Sequence, residues 1–574
     1  MFNSKKKQLF DISEKETSEN KLITQDPFLR AAIKSDTVLS GNLSDKIKTM
    51  GSSFLDQFAS ASKYKEPRSY EDISKDMSTL WGKDPLLTIK FTVYLRLITR
   101  IPTILNGDKL EKSHKGQGLK HESIMRMIWL FVNHPKEFIG NLNTFVVAGS
   151  WKDLITMMKY DAMYNGHDHS FDWNILIEFI KEGLMNPKTS NLIRKYLPTI
   201  RTKKKCTTIE AQANNVVAKA LCHSFFGGKE LDNPGRFYRL YRKTKSSGTA
   251  HEWQQLISKR RFKDINFGTI AGRALQKLVN SKFLANQGLE KKYESWLDTQ
   301  PTAKYTGYVY ELFAPFQGVY NTTLPIKPYQ KKTINAQFQE LLNKAELKTE
   351  DNSFICVLDS SMSMSSAADG TTTQAYTVAK TMTLFFSELL KGRFHEHYFE
   401  FSSDTELRKF EGETYYDKYV NSDSRINANT NFISVADKFV EILKSETLLE
   451  DDFPKGILCL TDGEFDRTHD FTGKNTELDK FRKKLLNGGF SKEFVKNFKI
   501  VLWDIPNGYY GKSEVKFEAL GDEANTFHIG GLDGSVVSFL IEGEVKDGKA
   551  QTPQSTEELF LAAMNQELMN YVII

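Results

Sequence analysis

The chain has 574 residues, of which 40% are hydrophobic and 26% are charged, as in an ordinary globular protein. A chain of this length exceeds what a single hydrophobic core can organise, so we expect two or more domains. The four cysteines show neither close pairing nor the spacing of metal ligands, which argues against a secreted disulfide framework and indicates a reducing compartment.

The formal net charge of +6 is divided unevenly along the chain. Residues 351–574 hold 23 Lys or Arg and 37 Asp or Glu, a net charge of −14, which leaves 55 basic and 35 acidic residues and a net charge of +20 for the remainder. A basic first part suggests a polyanionic partner, although the two parts could also simply attract one another.

The sequence contains no apolar run approaching the length of a transmembrane helix, and its amino terminus lacks the apolar core of a signal peptide. We therefore expect a soluble protein without a membrane partner. The expected location is the cytoplasm, or the host cytoplasm or the virion if a virus encodes the protein.

The composition of residues 1–65 predicts a polar, partly irregular N-terminal arm, with a short helix around Phe54–Phe58. From about residue 66 to residue 345 apolar residues recur at helical spacing, and Asn, Gly or Pro separate the segments. Helices are predicted at Leu86–Ile98, Ile124–Val132, Phe138–Val147, Trp151–Tyr160, Trp173–Leu184, Thr207–Ser224, Glu252–Arg260, Ile270–Leu278 and Tyr308–Phe313. Consecutive helices with short connections indicate a HEAT-like α-helical repeat domain of stacked pairs over 66–345.

One segment of this helical part, Pro187–Asp264, holds 18 basic and 5 acidic residues, a net charge of +13. The candidate contact residues are Arg201, Lys203, Lys204, Lys205, Arg239, Arg242, Lys243, Lys259, Arg260 and Arg261. The aromatic residues among them are Tyr238, Tyr241, Trp253 and Phe262. Basic groups that neutralise phosphates, together with aromatic faces on which unpaired bases stack, predict an RNA-binding surface. Solvated helix faces with a basic loop are the alternative interpretation.

Short apolar runs alternate with helical segments from about residue 350 to residue 574. Strands are predicted at Phe354–Leu358, His397–Phe401, Gly456–Leu460, Phe498–Trp503 and Thr526–Ile529, with a hairpin at the sheet edge after Phe401. Helices are predicted at Thr373–Leu390, Phe432–Lys444, Glu477–Leu486, Gly534–Ile541 and Glu557–Tyr571. This alternation indicates a doubly wound α/β sheet over 350–574, with the last helix expected to dock onto the helical domain.

Oxygen-bearing side chains cluster at the ends of two predicted strands. Asp359, Ser361 and Ser363 follow the first strand at alternate positions, Asp462 follows the strand Gly456–Leu460, and Thr430 lies in a polar loop between the two strands. Ligands of open α/β sheets bind beyond the carboxyl ends of the strands, and oxygen ligands suit a hard cation such as Mg²⁺.

This order, D-x-S-x-S, then a loop threonine, then a strand-end aspartate, resembles the von Willebrand factor A domain with its metal-ion-dependent adhesion site. The resemblance implies that Ser361, Ser363 and Thr430 bind the ion through hydroxyls, while Asp359 and Asp462 bind it directly or through water. Mg²⁺ is the expected ion, with Mn²⁺ or Ca²⁺ as alternatives. Two carboxylates and three neutral hydroxyls leave an electrophilic position for an acidic group of a partner.

Motifs in the helical part extend the comparison along the chain. They are Trp81–Pro85, Tyr94–Arg96, Gly116–Gly118, Gly149–Leu154, Phe237–Arg239 and Tyr241–Arg242. Placed ahead of an A-type domain, they resemble the TROVE layout of the Ro autoantigens and of a related TROVE-like family with the same domain order. The resemblance implies helical repeats bent into a ring whose ends the A domain joins, RNA bound on a basic surface, and a monomeric ring, although the oligomeric state stays open.

These observations favour a non-enzymatic, Ro-like RNA-binding protein whose metal site recruits an acidic ligand. The first alternative is an interaction or assembly component, for example of a virus particle, that uses the metal site for adhesion. A Mg²⁺-dependent phosphatase ranks third, because the residue two positions after Asp359 is Ser361 and not a second acid. The motif His395–Glu396–His397 lacks further ligands at a metal-binding spacing.

Overall fold

A computed structural model provides the three-dimensional structure. It describes residues 37–39, 45–61, 68–97, 104–105, 108–110, 114–165, 169–201, 206–226, 234–247, 252–318, 323–345, 354–368, 371–390, 392–424, 427–445, 448–466, 476–505, 507, 517, 519, 521–532, 544–546, 549–551 and 553–574. The chain combines an N-terminal helical region with a C-terminal α/β region, which confirms the predicted fold class.

The helical region also contains two short antiparallel hairpins, β1 (Thr37–Leu39) with β2 (Asp45–Ile47) and β3 (Ile104–Leu105) with β4 (Asp108–Lys109). Its helices are α1 (Ser53–Ala59), α2 (Tyr70–Lys83), α3 (Pro85–Arg96), α4 (Lys120–Asn133), α5 (Pro135–Gly140), α6 (Leu142–Ala148), α7 (Trp151–Asn165), α8 (Trp173–Met185), α9 (Pro187–Tyr196), α10 (Ile209–Phe226), α11 (Pro234–Ser247), α12 (Glu252–Ser258), α13 (Gly272–Asn280), α14 (Phe283–Asn286), α15 (Glu290–Leu297), α16 (Tyr310–Phe313) and α17 (Pro328–Ala345). Helices close in the sequence pack on one another, as in stacked pairs.

Two of these helices, α3 and α9, begin where a proline follows a capping residue. The Asp84 carboxylate accepts a hydrogen bond from the backbone N–H of Leu87 at 2.8 Å, immediately before the first residue of α3, Pro85. The Asn186 side chain accepts from the N–H of Lys188 at 3.0 Å and caps α9 in the same way. Because proline fixes the backbone and lacks a donor that would be unsatisfied there, it starts helices at little cost.

The α/β region is built on a six-stranded sheet within the described residues. Its strands are β5 (Ile355–Asp359), β6 (His397–Phe401), β7 (Thr405–Lys409), β8 (Gly456–Thr461), β9 (Lys499–Asp504) and β10 (Thr526–Gly530). A separate hairpin joins β11 (Glu544–Lys546) to β12 (Lys549–Gln551). The strand order is β10-β9-β8-β5-β6-β7, with all pairs parallel except the predicted edge hairpin β6–β7.

Helices cover both faces of this sheet. They are α18 (Ala375–Leu389), α19 (Tyr415–Asn421), α20 (Ile433–Ser445), α21 (Glu477–Gly488), α22 (Lys492–Asn497) and α23 (Thr556–Met564). Side chains of β5 alternate between two hydrophobic clusters, with Cys356 and Leu358 in one and Ile355 and Val357 in the other. This continuous burial on both faces is why the strand is an unbroken apolar run.

The first of these clusters continues into the helical region, because α23 packs against α1, α3 and β10. The ring centroid of Phe560 lies 5.8 Å from that of Phe54, 5.4 Å from Phe58 and 5.8 Å from Phe91. All four rings are buried. Beyond α23, the Asn141 side chain accepts from the backbone N–H of Ile573 at 3.0 Å and donates to its carbonyl at 2.7 Å. The predicted docking of the last helix is therefore confirmed.

The other end of the helical region also contacts the α/β region. Helix α17 packs against α18 and α19, and Lys331 forms an ion pair with Asp417 at 2.6 Å. The hydroxyl of Tyr308, just before α16, donates to the carbonyl of Gln117 at 3.1 Å. Both ends of the helical region therefore meet the α/β region and one another.

Some elements differ from the sequence predictions. Helix α17 (Pro328–Ala345) was not predicted, because its few buried apolar residues, such as Ile334 and Phe338, obtain their packing from distant elements. The C-terminal helix is shorter than predicted, since α23 ends at Met564 and a 3₁₀ turn follows. The predicted helix Gly534–Ile541 lies outside the described residues. Within those residues, no helix combines the length and the apolarity that crossing a membrane requires.

We expect Phe560→Ala to lower the free energy of unfolding by about 3–5 kcal/mol, because it leaves a cavity among three buried rings. The control is Leu561→Ala on the same helix, whose side chain is 44% exposed and whose loss should cost less than about 1 kcal/mol. Urea denaturation followed by tryptophan fluorescence measures both. Equal losses in the two variants would contradict a core that depends on Phe560.

Candidate metal centre

The pairing of β5 with β8 places two aspartates at the same edge of the sheet. Leu358 lies opposite Leu460 in this parallel pair, so Asp359, the last residue of β5, and Asp462, just beyond β8, emerge side by side. Both carboxylates are buried, with Asp359 at 0% and Asp462 at 8% exposure.

Hydrogen bonds fix the Asp359 carboxylate. Its Oδ1 accepts from the backbone N–H of Ser361 at 2.9 Å, and its Oδ2 accepts from the hydroxyl of Thr461 at 2.6 Å. Because Thr461 is the last residue of β8, this second bond ties the ends of the two strands together. The carboxylate is therefore held in one orientation.

The two serines link this carboxylate to the second one. The hydroxyl oxygens of Ser361 and Ser363 lie 3.0 Å apart, and the Ser363 hydroxyl also hydrogen-bonds Asp462. Asp462 Oδ2 accepts from the side-chain amide of Asn507 at 2.9 Å, and its Oδ1 accepts from the N–H of Glu464 at 3.2 Å. The structure thus brings four of the five predicted ligands into one connected group.

Thr430, the fifth predicted ligand, is buried in the loop before α20. Two sets of contacts hold this loop beside the four residues just described. Asn427 forms a β-bridge with Ser361, while Asp466 accepts from the N–H of Thr430 at 2.7 Å and its own N–H donates to the Thr430 carbonyl at 2.9 Å. Thr430 therefore lies in a loop held between Ser361 and the segment that follows Asp462.

The burial of this carboxylate pair shifts both titrations in the same direction. Burial, followed by the charge of Asp462, raises the pKa of Asp359 to about 7, although the hydrogen bonds from Thr461 and Ser361 oppose the shift. Burial also raises the pKa of Asp462, against hydrogen bonds from Ser363, Asn507 and Glu464. Among the residues the structure describes, neither Asp359 nor Asp462 forms an ion pair with Lys, Arg or His.

A divalent cation fits this donor set. Carboxylate and hydroxyl oxygens are the ligands that Mg²⁺ and Ca²⁺ prefer, and a cation would supply the charge that the buried pair lacks. The thiol of Cys459 is also near, but burial and then the charge of Asp359 raise its pKa well above the ordinary value. A protonated, buried thiol is a poor ligand for a hard cation and a poor nucleophile.

Three residues that position the candidate ligands were not predicted from the sequence: Thr461, Asp466 and Asn507. Thr461 could have been found, because it directly precedes Asp462 on a predicted strand. Asn507 carried no signal, since its contact depends on β9 lying next to β8.

The described basic candidates of the helical region are all exposed. They are Arg201, Arg239, Arg242, Lys243, Lys259, Arg260 and Arg261. Lys203, Lys204 and Lys205 lie outside the described residues. The prediction that Tyr241 offers a stacking face is wrong, because this ring is fully buried and its hydroxyl donates to the carbonyl of Pro198 at 3.0 Å.

A second cluster with metal-binding chemistry contains Glu388, His395 and Glu396, whose ligand atoms lie within 4.8 Å of one another. The ammonium group of Lys418 pairs with both carboxylates of this cluster. Since a cation of the protein already occupies the position between them, the cluster is a structural ion-pair network.

We expect Asp359→Asn to weaken Mg²⁺ or Mn²⁺ binding by about 100-fold or more, because losing even a partner of a metal ligand costs roughly 10–100-fold. Isothermal titration calorimetry measures this, with Asp451→Asn as the control, since Asp451 is an exposed aspartate of the same region. Unchanged affinity in the Asp359 variant would refute the assignment.

The raised carboxylate pKa values also predict how metal-free stability depends on pH. Between the ordinary pKa of 3.8 and about 7, folded Asp359 keeps a proton that the unfolded chain has lost. Stability without metal should therefore fall as the pH rises through this window, and saturating Mg²⁺ should remove the loss. Thermal melts at pH 5 and pH 8, with and without Mg²⁺, test this. Asp359→Asn should melt with a weaker pH dependence, and an unchanged dependence would contradict the argument.

Comparisons with known proteins find a family model and solved structures that resemble this chain. Residues 353–571, which contain the candidate metal centre, match a family model described as a domain of unknown function, DUF7788. The crystal structure of the Ro (RSR) protein of Deinococcus radiodurans matches with 11% sequence identity and a TM-score of 0.36, over 78% of this chain and 88% of that chain. A likeness of this degree supports no functional conclusion. No curated protein matches the chain.

Proposed function

We propose that this chain is a non-enzymatic binding protein that holds RNA on its basic helices and binds an acidic group of a partner through a divalent cation. The observation that carries the proposal is the convergence of Asp359 and Asp462, both buried and without an ion-pair partner among the described residues, on the hydroxyls of Ser361 and Ser363. Such a pair favours a bound cation over an apo state.

A partner could reach the cation from the surface. Met362, between the two serines, is 44% exposed, and Asn427, Ala428 and Asn429 of the neighbouring loop are exposed as well. Only two carboxylates would neutralise the ion, so a carboxylate or phosphate of a partner is the natural further ligand.

The basic surface supports the RNA part of the proposal. Helix α11 buries Tyr241 and exposes Arg239, Arg242 and Lys243. Helix α12 has no buried residue, and the exposed Lys259, Arg260 and Arg261 follow it. This stretch lies between two hydrophobic clusters, one including Tyr241 and one beginning at Ile265. Exposed cationic groups that no core needs can contact a phosphate backbone.

An interaction or assembly component that uses the metal site alone is the alternative proposal. It needs the same cation and partner but no RNA. The metal centre offers little for a phosphatase, because its thiol is protonated and its hydroxyls bind carboxylates or one another.

We expect the triple variant Lys259→Glu, Arg260→Glu and Arg261→Glu to bind single-stranded RNA at least about 10-fold more weakly at low salt. The slope of log affinity against log salt should also fall by about 0.7 for each phosphate that the variant no longer neutralises. Fluorescence anisotropy with a labelled oligonucleotide measures both quantities. A further variant with Lys203, Lys204 and Lys205 changed to Glu should add to the loss.

The control makes the same charge change at Lys75, Lys136 and Lys483, which are exposed and lie outside the basic segment. Equal losses in both triple variants would mean that net charge alone attracts RNA. No RNA affinity at low salt in the unmodified chain would remove the RNA part of the proposal and leave the assembly alternative.

A further inference from the structure

A cavity of about 530 Å³ opens on the helical region where α6, α7, α8 and α9 meet. We call it the α7–α9 cavity; its walls include Val147, Trp151, Phe179, Glu182 and Tyr196. Its volume lies in the range of about 300–1,000 Å³ that is typical of sites for small ligands. None of the residues that line the cavity belongs to the candidate metal centre.

One wall of the cavity is an aromatic pair. The rings of Trp151 and Phe179 stack with their centroids 5.0 Å apart and their planes 25° apart. A third ring between them would need a separation of about 7 Å, because stacked rings approach to roughly 3.5 Å. Trp151 is buried while Phe179 is half-buried, so a planar ligand can extend the stack only on the open side of Phe179.

The rim of the cavity is cationic on the side of α9. Thr189, Leu192 and Tyr196 of this helix line the cavity. At 100° per residue, Lys188 and Lys195 lie within about 60° of Leu192 on the helix surface. Both lysines are exposed, and the Lys195 ammonium lies 5.9 Å from the ring centroid of Tyr196.

Polar side chains in the walls can form hydrogen bonds with a ligand. The side chains of Glu182 and Asn143 line the cavity and are exposed. A carboxylate can only accept hydrogen bonds, so Glu182 suits a base with ring or amino N–H groups, such as guanine. An apolar peptide would use neither this acceptor nor the lysine rim, whereas a nucleotide uses the aromatic wall, the acceptor and the cations together.

We propose that the α7–α9 cavity holds one unpaired base of a bound RNA strand, stacked on the open side of Phe179. The phosphates next to this base lie on Lys188 and Lys195. This inference rests on the proposed RNA function and locates a specific contact within it. It assigns a contact to α9, the first helix of the basic segment, which packs against the basic helix α11.

The test uses the full chain and a single-stranded RNA containing 6-thioguanosine, which crosslinks to nearby side chains on irradiation. Mass spectrometry should place a crosslink at Trp151, Phe179 or Tyr196. Phe179→Leu, which keeps an apolar side chain but removes the ring, should weaken RNA binding about 10-fold. The control Phe225→Leu removes another half-buried ring, on α10 and outside the cavity, and should bind as the unmodified chain does.

A second variant covers the case in which Phe179→Leu fails to fold. Lys188→Gln with Lys195→Gln changes only exposed side chains and should also weaken binding, with Lys75→Gln and Lys136→Gln as its control. Crosslinks that map elsewhere, with affinity unchanged in both cavity variants, would overturn the cavity proposal and leave the proposed function standing.

A separate measurement distinguishes failure of the cavity from failure of the proposed function. Saturation-transfer NMR with guanosine 5′-monophosphate should show binding to the unmodified chain that Phe179→Leu abolishes, whether or not long RNA binds. If the unmodified chain binds no RNA, the proposed function fails. A guanosine 5′-monophosphate signal that Phe179→Leu abolishes would then still support the cavity as a site that binds a base. Absence of the nucleotide signal, or occupation of the cavity by a segment of this chain in crosslinking, would overturn the cavity proposal.

Discussion

Strands β5 and β8 lie side by side and parallel, so the aspartates that end them share one edge of the sheet. The fold buries both carboxylates, which raises their pKa values and makes each charge costly without a counter-charge. The hydroxyls of Ser361, Ser363 and Thr461 and the amide of Asn507 offset this cost only in part, because neutral donors do not cancel charge. A bound cation would neutralise the charge of the two carboxylates. This electrostatic requirement is the basis of the proposed adhesion site.

The helical region has the opposite electrostatic character. Part of its excess positive charge lies on the exposed faces of α11 and α12, with Arg239, Arg242 and Lys243 on α11 and Lys259 just after α12. Ion pairs such as Lys331 with Asp417 use a small part of this charge to join the two regions. The contact between the two regions also buries the aromatic rings around Phe560.

Much of the α/β region could be predicted from the sequence, because a buried parallel strand is a short apolar run. The candidate ligands Asp359, Ser361, Ser363 and Asp462 follow such runs within five residues. The edge hairpin after Phe401 was also predicted, although its second strand, β7, is polar and largely exposed. Contacts between distant segments could not be predicted. Asn507 reaches Asp462 only because β9 pairs with β8, and α17 packs against α13, α15 and α19, none of which adjoins it in the sequence. The burial of Tyr241 could not be predicted either, because an aromatic residue in a basic helix can face either the solvent or the core.

The packing of Phe560 against Phe54 has a consequence for synthesis of the protein. About 500 residues separate the two side chains, and at roughly 5–20 residues per second a ribosome needs on the order of 25–100 s to make that length. Throughout this time the first helices present an unfilled apolar surface to their surroundings. Completion of this core must therefore wait until Phe560 has been made, and the nascent chain is a natural client for chaperones that shield such surfaces.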